Sequence, residues 1–137
     1  KLVGLGASIR LVKGAYDEPK GVAFRTRSEV DGSYQALSLM IGAAAARDPR
    51  VRLVLGTHDS ALVERIAAFG AATGIPRSVF GVAMLYGIRA KEAARLAAAG
   101  YAVRTLIAYG EFWYPWYMRR LAERPANVFF LARNLLR

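Results

Sequence analysis

The stretch that decides the fold is Val51–Leu85, VRLVLGTHDSALVERIAAFGAATGIPRSVFGVAML. It contains an apolar run at Val51–Gly56, a helix-like run at Ala61–Ala72 that ends before Gly74-Ile75-Pro76, and a second apolar run at Ser78–Leu85. The two apolar runs are short and almost continuous, which is typical of strands buried on both faces. A strand, a helix and a strand in this order predict a parallel βαβ unit.

The same alternation extends toward both ends of the chain. Further strands are predicted at Ser8–Lys13 and Ala102–Ala108, and further helices at Tyr34–Ala46 and Arg89–Ala99. The predicted helix caps are Asp31 before the first helix and Asp59 or Ser60 before the second. After the fourth strand we expect an aromatic and arginine-rich helix, broken near Pro125, and a last helix at Val128–Leu136. This order predicts one α/β domain of parallel βα repeats, either an open doubly wound sheet or half of a TIM barrel, because a whole barrel takes about 250 residues.

Composition narrows the class of protein. The chain has 137 residues, of which 55% are hydrophobic and 22% are charged, as in a globular domain. It has no cysteine and one histidine, so we expect no disulfide, no metal site and a cytoplasmic location. No apolar run reaches the roughly 18 residues of a membrane-spanning helix.

The formal net charge of +10 indicates anionic partners. The basic residues are spread along the chain, without a block of like charges, so we expect no nucleic-acid binding. An anionic cofactor or substrate explains part of the charge, and acidic segments of a longer parent protein would balance the rest.

Polar residues gather where each predicted strand ends. Parallel α/β folds place their active sites at that edge, so the coincidence favours an enzyme. The four groups are Lys13-Gly14-Ala15-Tyr16, Thr57-His58-Asp59, Tyr86-Gly87 and Tyr109-Gly110-Glu111.

Several of these residues have a functional and a structural interpretation. Arg10 is either a cation beside a cofactor or a salt-bridge partner, and Gly14 allows the backbone to approach a ligand closely. His58 is a cofactor contact, a base or a helix cap. Arg119 and Arg120 follow a run of aromatic residues and could bind a small carboxylate, because each guanidinium can donate two parallel hydrogen bonds to it. The sequence contains no GxGxxG, phosphate loop or GxSxG motif, which weakens nicotinamide-enzyme, nucleotide-hydrolase and serine-hydrolase interpretations.

Four motifs also carry a resemblance to a known family. They are Arg10-Leu11-Val12-Lys13-Gly14-Ala15-Tyr16, Thr57-His58-Asp59, Met84-Leu85-Tyr86-Gly87-Ile88-Arg89 and the segment Tyr117–Asn127, YMRRLAERPAN. In order and spacing the chain resembles the C-terminal half of proline dehydrogenases, a flavin-dependent TIM-barrel family. The resemblance implies that residues 1–137 form a partial barrel domain, strands five to eight, whose N-terminal half lies outside this sequence.

The resemblance also implies an activity and a set of site residues. The family oxidises L-proline to 1-pyrroline-5-carboxylate in proline catabolism and passes hydride to the N5 atom of FAD. Arg10 would then be catalytic at the flavin N5 edge, Arg119 and Arg120 would bind the substrate carboxylate, and Tyr16 and Leu85 would line the substrate pocket. The implied cofactor-binding residues are Arg10, Val12, Lys13, Gly14, Ala15, Thr57, His58 and Glu123.

Two departures from the family pattern keep alternatives open. Leu106 stands where the family commonly has a tyrosine against the proline ring, and Gly81-Val82-Ala83 stands where it commonly has Glu-Phe-Gln. A flavin enzyme for hydroxyproline or another imino acid is one alternative. Another is an inactive fragment that acts only as an anion-binding α/β module. The family implies a quinone or other electron acceptor and peripheral contact with the inner membrane face, while the oligomeric state stays open.

Overall fold

The computed structural model of the chain describes residues 1–14, 19 and 21–122, with the side chains of 117 and 119–122 left out. Strands and helices alternate along this part, as predicted. The elements are β1 (Ser8–Val12), α1 (Arg27–Ala45), β2 (Arg52–Gly56), α2 (Ser60–Ala72), β3 (Phe80–Leu85), α3 (Ala90–Ala98), β4 (Val103–Leu106) and α4 (Trp113–Ala122), with 3-10 turns at Val3–Leu5 and Arg77–Val79.

The four strands form one parallel sheet in the order β1-β2-β3-β4. Each strand pairs with the next in sequence; for example, Val12 pairs with Gly56, and Gly56 with Ala83. A doubly wound sheet reverses its strand order near the middle. The described strands show no such reversal, so the observed order departs from the doubly wound alternative.

One face of the sheet is covered by helices. Alternate strand residues point toward it, and they pack with α1, α2 and α3 to form the core. The Phe80 ring, which is fully buried, lies between the backbones of Gly42 in α1 and Gly70 in α2. The other core residues of the strands and helices include Leu53, Leu55, Val82, Met84, Ile41, Leu62, Val63, Ile66 and Leu96.

The opposite face, which we call the open face, carries a different set of side chains. It is formed by every second residue of each strand, and the strand registers place these residues beside one another. They are Ser8, Arg10, Val12, Arg52, Val54, Gly56, Gly81, Ala83, Leu85, Arg104 and Leu106. Arg10, Arg52 and Arg104 are exposed on it. No helix in the described part of the chain is both long and apolar enough to cross a membrane.

The predicted start of α1 was wrong. The helix begins at Arg27 and not near Tyr34, and its N-cap is Thr26, not Asp31. The Thr26 hydroxyl accepts from the Glu29 N–H, and the Glu29 carboxylate accepts from the Thr26 N–H, which is a capping box. Asp31 therefore lies inside the helix, where its carboxylate pairs with Lys13.

Other element ends also differ from the predictions, by one to two residues in most cases. The third strand begins at Phe80 because Arg77–Val79 forms a 3-10 turn. The fourth strand is shorter than predicted and ends at Leu106. The predicted Asp59 cap of α2 is confirmed, since its carboxylate accepts from the Leu62 N–H. The predicted helix at Val128–Leu136 lies outside the described residues.

Candidate functional site

The sheet register brings several predicted site positions together at the carboxyl ends of the strands. Val12, Gly56 and Ala83 are register partners on β1, β2 and β3, so they form a row of small side chains across the open face. A Cβ atom added to Gly56 would lie 3.2 Å from Val12 Cγ2 and 3.2 Å from the Leu11 carbonyl oxygen. The side chains of this row are therefore apolar and project little from the sheet. A larger residue at Gly56 would collide with Val12 and the β1 backbone.

Leu85 and Leu106 lie beside this row on β3 and β4. They are direct register partners, and the Tyr86 N–H donates to the Leu106 carbonyl at 3.0 Å just beyond them. Leu106, the residue that departs from the family pattern, is therefore next to the predicted substrate-pocket residue Leu85.

Arg10 lies on the open face two residues before Val12. Its register partner is Val54. Within the part of the chain that the structure describes, no carboxylate lies within ion-pair distance of its guanidinium. The salt-bridge interpretation of Arg10 thus finds no support among those residues, while its position beside the apolar row suits a cation that faces a ligand.

A cavity of about 690 Å³ opens on the same face, but toward the amino ends of the strands. Arg10 is the predicted site residue that lines it, together with Arg52 and Arg104. It overlaps the predicted carboxyl-edge site only at Arg10, so we do not assign that site to it.

Lys13 turns its side chain away from the open face. Its backbone N–H donates to the Gly56 carbonyl at 3.0 Å, which extends the parallel ladder by one residue. Its side chain is only 4% exposed, and the ammonium contacts carboxylate oxygens of Asp31 in α1 and of Asp59, the latter at 2.8 Å. Arg27 Nη2 reaches the same Asp59 oxygen at 3.3 Å.

The environment of Asp59 favours its charged form. Burial by itself would raise the pKa of this carboxyl, but the hydrogen bond from the Lys13 ammonium, with those from the Leu62 N–H and Arg27, lowers it below its ordinary range. Asp59 is therefore an anion at neutral pH.

Thr57 and His58 lie between β2 and this cap. Thr57 is buried, and its hydroxyl oxygen accepts from the Asp59 N–H at 3.1 Å. His58 Nε2 accepts a long hydrogen bond of 3.5 Å from the Leu85 N–H, and the His58 carbonyl accepts from Arg89 Nη1 at 3.1 Å. The loop is therefore connected to β3 and to the residue that precedes α3.

Gly14 has a φ of 50°, in the left-handed region that glycine adopts without steric strain. The remaining predicted site residues are described incompletely or not at all. Arg119 and Arg120 lie in α4, but their side chains are outside the described residues, as are Ala15, Tyr16 and Glu123. Their predicted roles therefore stay predictions.

Sequence reasoning missed three residues that shape the site. Arg27 and Asp31 are four residues apart on α1, a spacing that signals an ion pair, but the helix was predicted to start after both of them. Arg89 contacts the His58 carbonyl from a backbone with a φ of 51°, a conformation that is uncommon outside glycine. No local sequence signal predicts that contact.

Comparison with known proteins agrees with the family that the sequence motifs indicate. A sequence model of the family described as "Proline dehydrogenase" matches residues 3–133. A proline dehydrogenase of Deinococcus radiodurans is 38% identical over 133 residues, which covers 97% of this chain and 41% of the relative.

Two relatives from Bacillus subtilis strain 168 give similar values. Proline dehydrogenase 1 is 37% identical over 140 residues, covering 100% of this chain and 44% of the relative. Proline dehydrogenase 2 is 36% identical over 137 residues, covering 98% of this chain and 43% of the relative. The chain thus spans about two fifths of the length of the curated relatives that it matches.

Proposed function

This chain belongs to the proline dehydrogenase family, and we propose that it carries part of the site at which L-proline is oxidised to 1-pyrroline-5-carboxylate with FAD as the cofactor. One observation supports this most strongly. The family match covers residues 3–133, and within it the motif positions Val12, Thr57 and Leu85 lie together at the carboxyl ends of neighbouring parallel strands.

We also propose that the sheet is half of a TIM barrel. A barrel pairs each strand with the next in sequence and keeps its helices on the outer face. The order β1-β2-β3-β4 and the packing of α1, α2 and α3 on one face support this proposal. The open face would then point into the barrel.

The residues present suit a flavin. A flat aromatic ring needs a low apolar surface and gains from a nearby cation when it takes up negative charge. The row of Val12, Gly56 and Ala83 offers the surface, which a side chain at Gly56 would obstruct, and Arg10 on the same face offers the cation.

The chain's own residues would then divide the work. When bound, FAD supplies the two-electron acceptor for the hydride that leaves the carbon beside the proline nitrogen. Arg10 favours negative charge beside the ring, and Gly14 lets the backbone approach. Arg119 and Arg120 hold the substrate carboxylate by paired hydrogen bonds, which fixes the reacting carbon relative to the open face.

The test is the visible absorption spectrum of the purified chain mixed with FAD, before and after anaerobic addition of L-proline. We expect shifted flavin bands that bleach with proline. Arg10→Gln should weaken FAD binding, whereas Arg47→Gln, which removes an equal charge from an exposed site after α1, should not.

Each component of the proposal can fail separately. Equal FAD binding by wild type and Arg10→Gln would contradict the role of Arg10. Bands that shift without bleaching would support the cofactor site and contradict turnover by this chain alone. An unchanged FAD spectrum would contradict the proposal that this chain holds a cofactor site.

The contact between Leu85 and Leu106 motivates a second candidate, oxidation of hydroxyproline or another imino acid. Because leucine replaces the tyrosine expected against the ring, the pocket edge changes in shape and loses a hydroxyl. Flavin reduction that is faster with hydroxyproline or pipecolate than with proline, and that Leu106→Tyr reverses, would favour this candidate. Faster reduction by proline in both proteins would exclude it.

A further inference from the structure

Four charged residues near the end of β1 form a network around a buried lysine, which we call the Lys13 network: Lys13, Arg27, Asp31 and Asp59. The network joins three elements, because Lys13 follows β1, Arg27 and Asp31 belong to α1, and Asp59 caps α2. Two carboxylates face two cations, so the charges balance within the network.

The network is connected directly to the loop that carries Thr57 and His58. Asp59 follows His58 in sequence, and its two carboxylate oxygens have different partners. Oδ1 accepts from the Leu62 N–H at 3.2 Å, while Oδ2 accepts from the Lys13 ammonium at 2.8 Å and from Arg27 at 3.3 Å. Since the Asp59 N–H also donates to Thr57 Oγ1, the conformation of the loop is tied to the position of Lys13.

The opposite side of the loop is held as well. Arg89 Nη1 donates to the His58 carbonyl, and the Leu85 N–H donates to His58 Nε2. The imidazole is thus hydrogen-bonded to β3, while the next residue in the chain, Asp59, is held by the Lys13 network. Small changes at Asp59 should therefore move the ring.

Stability alone does not account for the network. Removing an ammonium from water costs several kcal/mol, and well-packed apolar residues of similar volume commonly stabilise a fold as well as a buried ion pair does. A buried pair can instead impose one geometry on the elements that it joins. Here the geometry imposed is that of the strand end, the α2 cap and the loop between β2 and α2.

We propose that the Lys13 network positions Thr57 and His58 for the cofactor, with Lys13, Asp31 and Asp59 as positioning residues. The part that concerns the cofactor rests on the proposed function. The Lys13 side chain then acts through Asp59 and not as a ligand, since its ammonium is buried among carboxylates and its N–H belongs to the sheet.

The decisive variant is Asp59→Asn in the full chain. Asparagine caps helices as well as aspartate does, so α2 should keep its start while the charge that faces Lys13 and Arg27 is lost. His58 is the only histidine in the sequence, so its imidazole NMR signals are assigned without ambiguity. Asp48→Asn is the matched control, because Asp48 pairs with Arg50 in the turn before β2, away from the loop.

We expect Asp59→Asn to shift or broaden the His58 signals and to weaken FAD binding about tenfold. Asp48→Asn should change neither readout. His58 signals in Asp59→Asn that coincide with those of the wild type would overturn the proposal. Because those signals are measured without cofactor, a failure of the wild-type chain to bind FAD would overturn the proposed function while the NMR result still decides the positioning role.

A milder variant covers the case in which Asp59→Asn does not fold. The Arg27 side chain is 80% exposed, so Arg27→Gln should fold normally while removing one contact to Asp59. We expect a smaller change in the His58 signals. Unchanged signals in a folded Arg27→Gln protein, together with an unfolded Asp59→Asn, would make the network structural and overturn the proposal.

Discussion

Phe80 is a single residue that sets the distance between α1 and α2. Its ring fills the space between α1 and α2, and both helices present a glycine to it. A Cβ added at Gly42 would lie 2.9 Å from the ring, and one added at Gly70 would lie 2.8 Å from it. Because the ring is enclosed on both sides, it cannot move away from either helix.

We therefore expect Gly42→Ala to destabilise the chain by roughly 1–3 kcal/mol, the usual range for overpacking a core. Urea unfolding would measure the change. Gly32→Ala in the same helix is the control, because Gly32 is exposed and has nothing within 4 Å of an added Cβ. That substitution should stabilise by about 0.5–1 kcal/mol through helix propensity. Equal effects at the two glycines would contradict the packing of Phe80.

Asp59 predicts a dependence of stability on pH. Its pKa is lowered in the folded chain, chiefly by Lys13 acting against burial, so its contribution is complete above the unfolded pKa of about 3.9 and is lost as pH falls through the lower folded value. The wild type should thus lose more unfolding free energy between about pH 5 and pH 2 than Asp59→Asn does. Chemical denaturation at several pH values gives the unfolding free energy of each protein. If Asp59 has no such role, the plots of unfolding free energy against pH for the wild type and Asp59→Asn will be parallel.

At the residue scale, the sequence predicted positions better than partners. Arg10, Lys13 and His58 were found from their place in or just after apolar runs, and the structure has Arg10 within β1, Lys13 just after it and His58 after β2. The partners of Lys13 were not predicted, because they come from residues 18 and 46 positions away and depend on how the helices pack. Spacing along the chain carries no such information.

At the scale of the element, α1 illustrates the competition between two start signals. Asp31 precedes the most regular apolar pattern, but Thr26 and Glu29 form the capping box that the structure uses. The helix therefore has about two more turns at its start than predicted, and these turns bring Arg27 and Asp31 to the Lys13 network. The error in the predicted start therefore hid part of the candidate site.

Thr26→Ala should destabilise the chain by about 1 kcal/mol, because it leaves the Glu29 N–H without its capping acceptor and removes the hydroxyl that donates to the Glu29 carboxylate. Denaturant unfolding measures the loss. Ser28→Ala, which removes a hydroxyl from an exposed position in the same turn, should change stability by less than about 0.5 kcal/mol. A Ser28→Ala effect as large as that of Thr26→Ala would contradict the capping assignment.

At the scale of the whole molecule, apolar periodicity predicted the alternation of strands and helices, whereas the family resemblance alone implied the order of the strands. Apolar periodicity shows that Leu53 and Leu55 are buried, yet it does not say which strands flank them. Strand order depends on pairing between residues far apart in sequence, as with Arg10 and Val54. The assembled sheet shows that pairing and departs from a doubly wound order, while the barrel half stays a proposal.

The assembled sheet also shows an imbalance of charge. Arg10, Arg52 and Arg104 share the open face and line one cavity, and no ion pair involves them among the residues that the structure describes. Arg104 Nη1 lies 3.4 Å from the position that a Cβ on Gly81 would occupy. Gly81 stands where the family pattern commonly has glutamate, so this chain lacks an acid beside Arg104.

We therefore expect Gly81→Glu to be more stable than Gly81→Ala. Both variants add the Cβ that crowds the Leu53 carbonyl at 3.2 Å, so their difference isolates the effect of a carboxylate beside Arg104. Because Arg104 is exposed, that difference should be about 0.2–1 kcal/mol at low ionic strength. The difference should shrink in about 1 M salt, where the screening length falls to roughly 3 Å.

Denaturant unfolding of Gly81→Glu and Gly81→Ala at both salt concentrations measures this difference in stability. A difference that does not change with salt would mean that the glutamate acts by packing. No difference at all would mean that a carboxylate at position 81 gains nothing from Arg104.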